Sequence, residues 1–149
     1  MVNQQFHFAL HILIALAFRG DVMHSGALAL SIRTNPVVVR RLLLALRRAK
    51  LVETHAGRSG GARLAKPAER ISLLDVYDAI QSGPAICVQE RRGNRLCPIS
   101  CNMKYVLGKV SSRTERALRR ELERVSVAKI ARDIARAARR SSAVVQSHI

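Results

Sequence analysis

The sequence predicts a mainly α-helical chain carrying one small β-hairpin. Three observations predict it. Apolar residues recur at helical spacing over most of the 149 positions. A single short alternating segment, Leu51 to His55, is followed by the glycine-rich run Ala56-Gly57-Arg58-Ser59-Gly60-Gly61. Beyond residue 98, an apolar stripe continues for roughly seven helical turns.

The first helix is expected at about residues 4–18, where Phe6, Leu10, Leu13, Ile14 and Ala17 share a face and Arg19-Gly20-Asp21 ends the run. A short second helix follows from Ser25 to Ile32, with Ala27, Leu28 and Leu30 expected inward. Thr34-Asn35-Pro36 is a start signal. Thr34 or Asn35 caps free amides, and proline suits a first turn whose N–H has no intrahelical partner. The third helix buries Val39, Leu42, Leu43 and Leu46 and exposes Arg40, Arg41, Arg47 and Arg48. A short second helix before a basic third one is the pattern of a helix-turn-helix.

Leu51 to His55 and Ala62 to Ala65 are expected to pair around the glycine-rich tip as a β-hairpin, the wing. Ser72-Leu73-Leu74-Asp75 reads as a capping box with Asp in the usual Glu position. The helix it opens carries Leu73, Val76, Tyr77 and Ile80 on one face, and Gly83-Pro84 stops it. Residues 85–98 look irregular. The long stripe runs through Ile99, Met103, Val106, Leu107, Val110, Ala117, Leu118, Leu122 and Val125. A helix of that length is hard to bury in so small a domain, so it is expected to pack on a copy of itself, with Met103, Val106, Leu107, Val110, Ala117, Leu118 and Leu122 at the dimer interface. The fold class is therefore a winged helix-turn-helix plus a long dimerisation helix. Its expected parts are a winged-helix domain over 1–83, a cysteine-containing loop over 84–101, a dimerisation helix and a C-terminal helix over 102–138, and a flexible tail over 139–149.

Lys and Arg number 26 against 10 acids, a formal charge of +16. Such a surface attracts polyanions. Hydrophobic residues make up 48% of the chain, enough for a core, but only 3% are aromatic, so the core is aliphatic. No apolar run reaches the roughly 18–20 residues of a membrane span, and Met1-Val2-Asn3-Gln4-Gln5 lacks the basic start of a secretory signal. The expected location is the bacterial cytoplasm, at the nucleoid, with no membrane partner. No phosphate-binding glycine loop, paired acids or nucleophile motif is present, so the chain is not expected to be an enzyme. The competing readings are an architectural nucleic-acid- or RNA-binding protein without sequence choice, and a membrane-surface protein using the basic helix after Arg113.

Several segments in combination resemble the Rrf-two family of bacterial winged-helix regulators. This family includes the iron–sulfur assembly regulator, the nitric oxide-sensing repressor and the cysteine-metabolism repressor. The carrying residues are Phe8 to Leu13, Val38 to Leu46, Leu51-Val52, the wing from Gly57 through Ala65-Lys66-Pro67, and Ile71-Ser72-Leu73-Leu74-Asp75-Val76. The resemblance covers about residues 1–138. It implies a homodimer that binds a palindromic operator on double-stranded DNA, usually as a repressor. One departure stands out: where members often carry Tyr-Leu-Glu in the recognition helix, this chain has Val38-Val39-Arg40. A guanidinium replaces a carboxylate there, so the sequence preference of relatives does not carry over.

In such a domain the third helix enters the major groove by its N-terminal end. The expected contacts are Thr34, Asn35, Val37, Arg40 and Arg41, with Arg58, Ser59 and Arg63 of the wing reaching the minor groove or its phosphates. Asn3 and Gln4, at the head of the first helix, are a further phosphate candidate.

Cys87, Cys97 and Cys101 fall between the wing domain and the long helix. An odd count favours free thiols, a redox switch or metal ligands over a disulfide framework. Relatives hold an iron–sulfur cluster in this region with three cysteines about six residues apart, whereas the gaps here are ten and four. Three readings stay open: an iron–sulfur cluster, a thiol switch joining Cys87 to Cys97 or Cys101, and inert cysteines. Zinc lacks a nearby histidine, since His7, His11, His24 and His55 belong to the other half of the chain and are expected at packing or surface positions.

Overall fold

A computed structural model describes residues 4–57, 60–81, 83, 85–86 and 97–146, the last six by backbone alone. Helix α1 spans Gln4–Arg19 and buries Ala9, Ile12, Leu13, Ile14 and Leu16 along one stripe. Helix α2 spans Ser25–Ile32 and buries Leu28 and Ala29. Ala27 and Leu30 do not point inward as the sequence predicts; Leu30 is 81% exposed. At 100° per residue, positions 28, 29 and 32 form one flank of an eight-residue helix, and positions 27 and 30 fall on the other.

The turn of the helix-turn-helix is built by backbone. Arg33 adopts the left-handed conformation (φ 58°), which closes α2 by sending the amides of Arg33 and Thr34 to the carbonyls of Leu30 and Ala29. Helix α3, Pro36–Arg48, then starts on an Asn35 cap whose side-chain oxygen accepts the amide of Val37 at 2.8 Å. It buries Val39, Leu42, Leu43 and Leu46 and keeps its arginines outside. A second left-handed residue, Lys50 (φ 58°), ends α3, and the amide of buried Leu51 returns to the carbonyl of Leu46 at 2.9 Å.

Strands β1 (Val52–His55) and β2 (Gly61–Leu64) pair antiparallel, with Glu53 opposite Arg63 and Thr54 opposite Ala62. The wing is more than a hairpin. Met23, from the link between α1 and α2, forms a bridge to Ala62 with two 2.9 Å hydrogen bonds, so β2 is held on both edges. A 3-10 turn over Ala68–Arg70 leads to α4, Leu73–Ile80. Ser72 and Asp75 complete the predicted capping box, each side chain accepting the other's amide at 3.0 Å.

Helix α5 spans Pro98–Glu123, 26 residues, about 39 Å at the α-helical rise. It begins before the expected boundary. Pro98 takes the first helical turn, so residues 98–101 are helical and Cys101 stands on the helix, not in a loop. Helix α6, Val127–Gln146, continues eight residues past Ala138, where the sequence predicts a tail. Its basic and alanine-rich composition carries no helix stop there.

The core does not end at residue 83. Val127 is fully buried, Ala128 and Ala131 nearly so, all three belong to the main core, and α6 contacts α1 and the 3-10 turn. The junction between α5 and α6 is tied back to the head of α4: the amide of Leu73 bonds the carbonyl of Val125, and the amide of Val127 bonds that of Ile71, both at 2.8 Å. Helix α4 touches α1 and α3 on one side and α5 on another.

Candidate nucleic-acid interface

Two elements make the candidate interface: the head of α3 and the wing. Helix amides at a head point outward with the positive end of the helix dipole, and proline at the first position leaves one fewer amide to satisfy. Val37, Arg40 and Arg41 are exposed there, with Val37 53% accessible. Asn35 is also exposed, but its oxygen is committed to the cap. Thr34 is half-buried and its amide closes the turn. The structure thus brings Val37, Arg40 and Arg41 together as outward groups, while Thr34 and Asn35 shape the turn that presents them.

Between α3 and the wing lies an open cleft of about 670 Å3, whose walls include Arg40, Arg47, Thr54, His55 and Gly57. Arg47 donates to the hydroxyl of Thr54 at 3.2 Å, linking the last turn of α3 to β1. The sequence points to Arg47 only as an outward arginine. Alternation along β1 does place Thr54 on the same face as buried Val52, which is the signal for an inward Thr54. Arg63 grips the Glu53 carboxylate opposite it with Nε and Nη2 at 2.9 and 2.7 Å. Half-exposed, this pair leaves Arg63 facing water on the wing surface but with its charge shared. Arg58 and Ser59 lie outside the described residues, as does Asn3.

Glycine is required where the wing tip folds on itself. A Cβ on Gly60 would collide with the carbonyl oxygen of His55, and one on Gly61 would sit 2.6 Å from the carbonyl oxygen of Met23.

The cysteines gather at the head of α5. Cys97 is the N-cap residue, and the amide of Cys101 bonds its carbonyl at 3.1 Å. The Cys97 thiol is held below the ordinary thiol pKa, first by the Ser100 amide, then by the Ser100 hydroxyl and the Ile99 amide. Such donors favour thiolate over thiol. Cys101 is exposed and Cys97 half-buried. Cys87 lies outside the described residues, as do Arg91, Arg92 and Arg95, whose charge in the sequence favours thiolate over thiol nearby. An iron–sulfur cluster is held by three or four protein ligands. The described residues supply two thiols, and among them no third His, Cys, Asp or Glu joins the pair. They do not make up a cluster site.

The stripe on α5 divides in two. Met103, Val106 and Val110 are each at least half exposed, and Ala117 lies exposed in line with them. Leu107, Leu118 and Leu122 are half-buried on the flank shared with Ser111 and Glu115. That flank holds a set of contacts the sequence does not announce. Glu115 accepts the amide of Ala85 at 3.0 Å and the hydroxyl of Tyr77 at 3.5 Å. Ser111 donates to the carbonyl of Ile86 at 2.7 Å, and Arg119 grips Asp78 of α4 with two bonds of 2.7 and 2.8 Å. The chain leaving α4 toward the cysteines is therefore fastened to α5. Burial, with the Glu115 carboxylate, raises the Tyr77 pKa.

A capped basic helix beside a short wing, above a long outward-facing helix, defines a winged-helix regulator of the DNA-binding type. Residues 2–133 match the family described as Rrf2, iron-dependent transcriptional regulator. The chain belongs to the Rrf2 family, the Rrf-two family of the sequence resemblance, and is a transcriptional regulator, not an enzyme. It is 34% identical over 122 residues to a candidate HTH-type transcriptional regulator, YwnA, of Bacillus subtilis (strain 168), covering 82% of this chain and 90% of that one. A solved structure of a candidate DNA-binding protein is 31% identical, with a TM-score of 0.68 over 85% of this chain and 97% of its own. The fold also matches that of CymR, the global cysteine regulator of B. subtilis, with a TM-score of 0.64 at 19% identity over 88% of this chain and 95% of CymR. No helix among the described residues is long and apolar enough to cross a membrane.

Proposed function

We propose that the protein is a homodimeric repressor that binds a palindromic operator on double-stranded DNA in the bacterial cytoplasm, with α3 in the major groove and the wing on the flanking minor groove. The observation that carries this reading is the exposed trio Val37, Arg40 and Arg41 at the capped head of α3, next to the wing. Arg40 or Arg41 can pair bidentately with guanine, worth about 1–3 kcal/mol of discrimination per contact. Val37 offers a methyl surface to thymine. The exposed seam of Met103, Val106, Val110 and Ala117 is the surface that a second copy would cover. Two copies set the spacing of two recognition helices, which is what a palindrome reads.

The signal enters through the cysteines at the head of α5. The favoured chemistry is thiol oxidation: the Cys97 thiolate attacks an oxidant such as a peroxide, and a second thiol, Cys101 or Cys87, closes a disulfide. Two thiols lose two protons and two electrons, and the peroxide leaves as two waters. Strain at the head of α5 would pass through Glu115 and Ser111 to α4 and so to α3. An iron–sulfur cluster using Cys87 as a further ligand is the other sensing chemistry. Iron and sulfide analysis of anaerobically purified protein decides between them.

The test of DNA reading is genomic footprinting with purified protein, with Arg40→Ala and Arg41→Ala compared on the recovered site and on a scrambled duplex over a salt series. A discrete inverted-repeat footprint is expected, as are losses larger on the site than on the scrambled duplex. A chain that stays monomeric and binds both duplexes equally is an architectural nucleic-acid protein instead. The charge of +16 favours that second reading.

A further inference from the structure

A cavity of about 470 Å3 opens between α1 and α6, on a part of the chain that holds neither cysteine nor recognition helix. Leu10, Ile14, Phe18, Ile130 and Ile134 give it an apolar lining. Phe18 and Ile134 are 56% and 46% exposed, so apolar rims stand in water on both sides. At one end, His11 Nε2 and Ser31 Oγ are 2.9 Å apart, and His7 stands edge-on to His11 with ring centroids 6.5 Å apart. We propose that this cavity is a binding site for a small uncharged apolar or aromatic molecule bearing one hydroxyl or carbonyl, with the hydrocarbon body between Phe18 and Ile134 and the polar group at Ser31.

Three observations choose that occupant. The volume lies within the roughly 300–1,000 Å3 of small-molecule sites. A mostly apolar wall with one convergent polar corner is the usual composition of such sites. The charge pattern disfavours ionic ligands: in a chain with 26 basic and 10 acidic residues, no Lys, Arg, Asp or Glu among the described residues lines the cavity. Burial and then His7 lower the pKa of His11 and so favour its neutral form. A serine hydroxyl has three hydrogen-bonding positions, and the bond to His11 uses one.

The location matters for regulation. Ser31 belongs to the last turn of α2, two residues before Arg33, whose left-handed backbone aims α3. A molecule seated on Ser31 bears on that turn and would bias the recognition helix. This consequence rests on the DNA-binding reading, but occupancy of the cavity does not.

The chain contains no tryptophan, so Phe18→Trp places a single indole, excited apart from the two tyrosines at about 295 nm, at the cavity mouth. Titration of this protein with cyclohexanol and 4-methylphenol is expected to shift its emission saturably, at one molecule per chain. Cyclohexanecarboxylate and cyclohexylammonium should bind at least about tenfold more weakly. Adding Ser31→Ala should weaken the two hydroxyl compounds at least about fivefold and leave methylcyclohexane unchanged. Adding Ala15→Phe, which fills the cavity, should abolish all binding. Three results would overturn the site: no saturable shift up to the solubility limit, equal binding by the charged and uncharged probes, or a shift that persists in both added variants. A fourth is emission that changes with protein concentration alone, which would assign the groove to a second copy. None of these readouts involves DNA, so they fail or succeed independently of operator binding.

Discussion

Arg47 and Thr54 join the recognition helix to the wing through one 3.2 Å hydrogen bond. The bond spans the two elements of the proposed interface and adds a side-chain tie to the backbone link of Leu51 to Leu46. Thr54→Val keeps the shape and removes the acceptor. Net stability should change by less than about 1 kcal/mol, the usual worth of one hydrogen bond. Affinity for operator and random DNA should both fall several-fold, because the wing loses its alignment. Urea melts with fluorescence anisotropy separate the two effects, and wild-type affinity in Thr54→Val would show the bond to be incidental.

Gly60 and Gly61 are tests of wing geometry. A methyl group at either position meets backbone atoms of His55 or Met23, so the backbone itself must shift to admit it. Overpacking of this kind costs about 1–3 kcal/mol. Gly61→Ala should also part β2 from Met23, and exchange of the Met23 and Ala62 amides with deuterium should quicken. Gly26→Ala, in α2 where an added Cβ meets open space, is the control: it should stabilise by up to about 1 kcal/mol, as alanine for glycine does in a helix, and leave exchange at the wing unchanged.

The position of Cys97 at the head of α5 predicts unequal thiol chemistry. Its folded pKa is depressed by the amides and hydroxyl of the first turn, so the thiolate persists to lower pH than in an unfolded chain. Alkylation by iodoacetamide, followed by mass spectrometry across a pH series, should titrate Cys97 with a midpoint below that of a free thiol. Ser100→Ala should move the midpoint upward. The same shift makes the thiolate a stabilising form. That contribution is present above the unfolded thiol pKa and is lost as pH falls through the folded one. A Cys97 midpoint at the free-thiol value would remove it as the attacking group.

His11 gives a pH effect on the acid side. Burial, then repulsion by His7, depresses its folded pKa. The unfolded imidazole takes up a proton near about pH 6.5, while the folded one does so only lower. Stability is therefore complete above about pH 6.5 and falls as pH drops through the folded value. His11→Gln should flatten the difference between urea midpoints at pH 7.5 and 5.5. The paired carboxylate of Asp133, which is also depressed, acts only nearer the carboxylate range. An unchanged difference in His11→Gln would assign the acid lability elsewhere.

Local chemistry was legible in the sequence. Asn35-Pro36 marked the start of α3, Ser72 and Asp75 formed the box at α4, and the 3.6-residue period picked out Val39, Leu42, Leu43 and Leu46 as core. Each of these depends on neighbours within four positions. Contacts between distant positions were not legible. Glu115 meets Ala85 thirty residues away, and His11 meets Ser31 across twenty, with no periodic signal linking them. The outward turn of Leu30 and Ala27 was missed for a related reason. In an eight-residue helix of almost uniform hydropathy the pattern does not choose a face, and the packing of α1 and α3 chooses it. At the interface, Val37, Arg40 and Arg41 read directly from the sequence as outward groups. The commitment of Arg63 to Glu53 needed the strand register.

Val127 is sealed in the same core as Leu13 and Ile71, more than forty positions beyond the end of the wing domain as the sequence divides it. The reading head and the long arm thus share one keystone. A fragment cut after residue 83 would uncover the face of α1 and of the 3-10 turn that α6 covers, and is expected to be less stable than the full chain. The two halves of such a chain are not separate cassettes: α6 completes the core on which α3 stands, so a change along the arm is expected to reach the recognition helix.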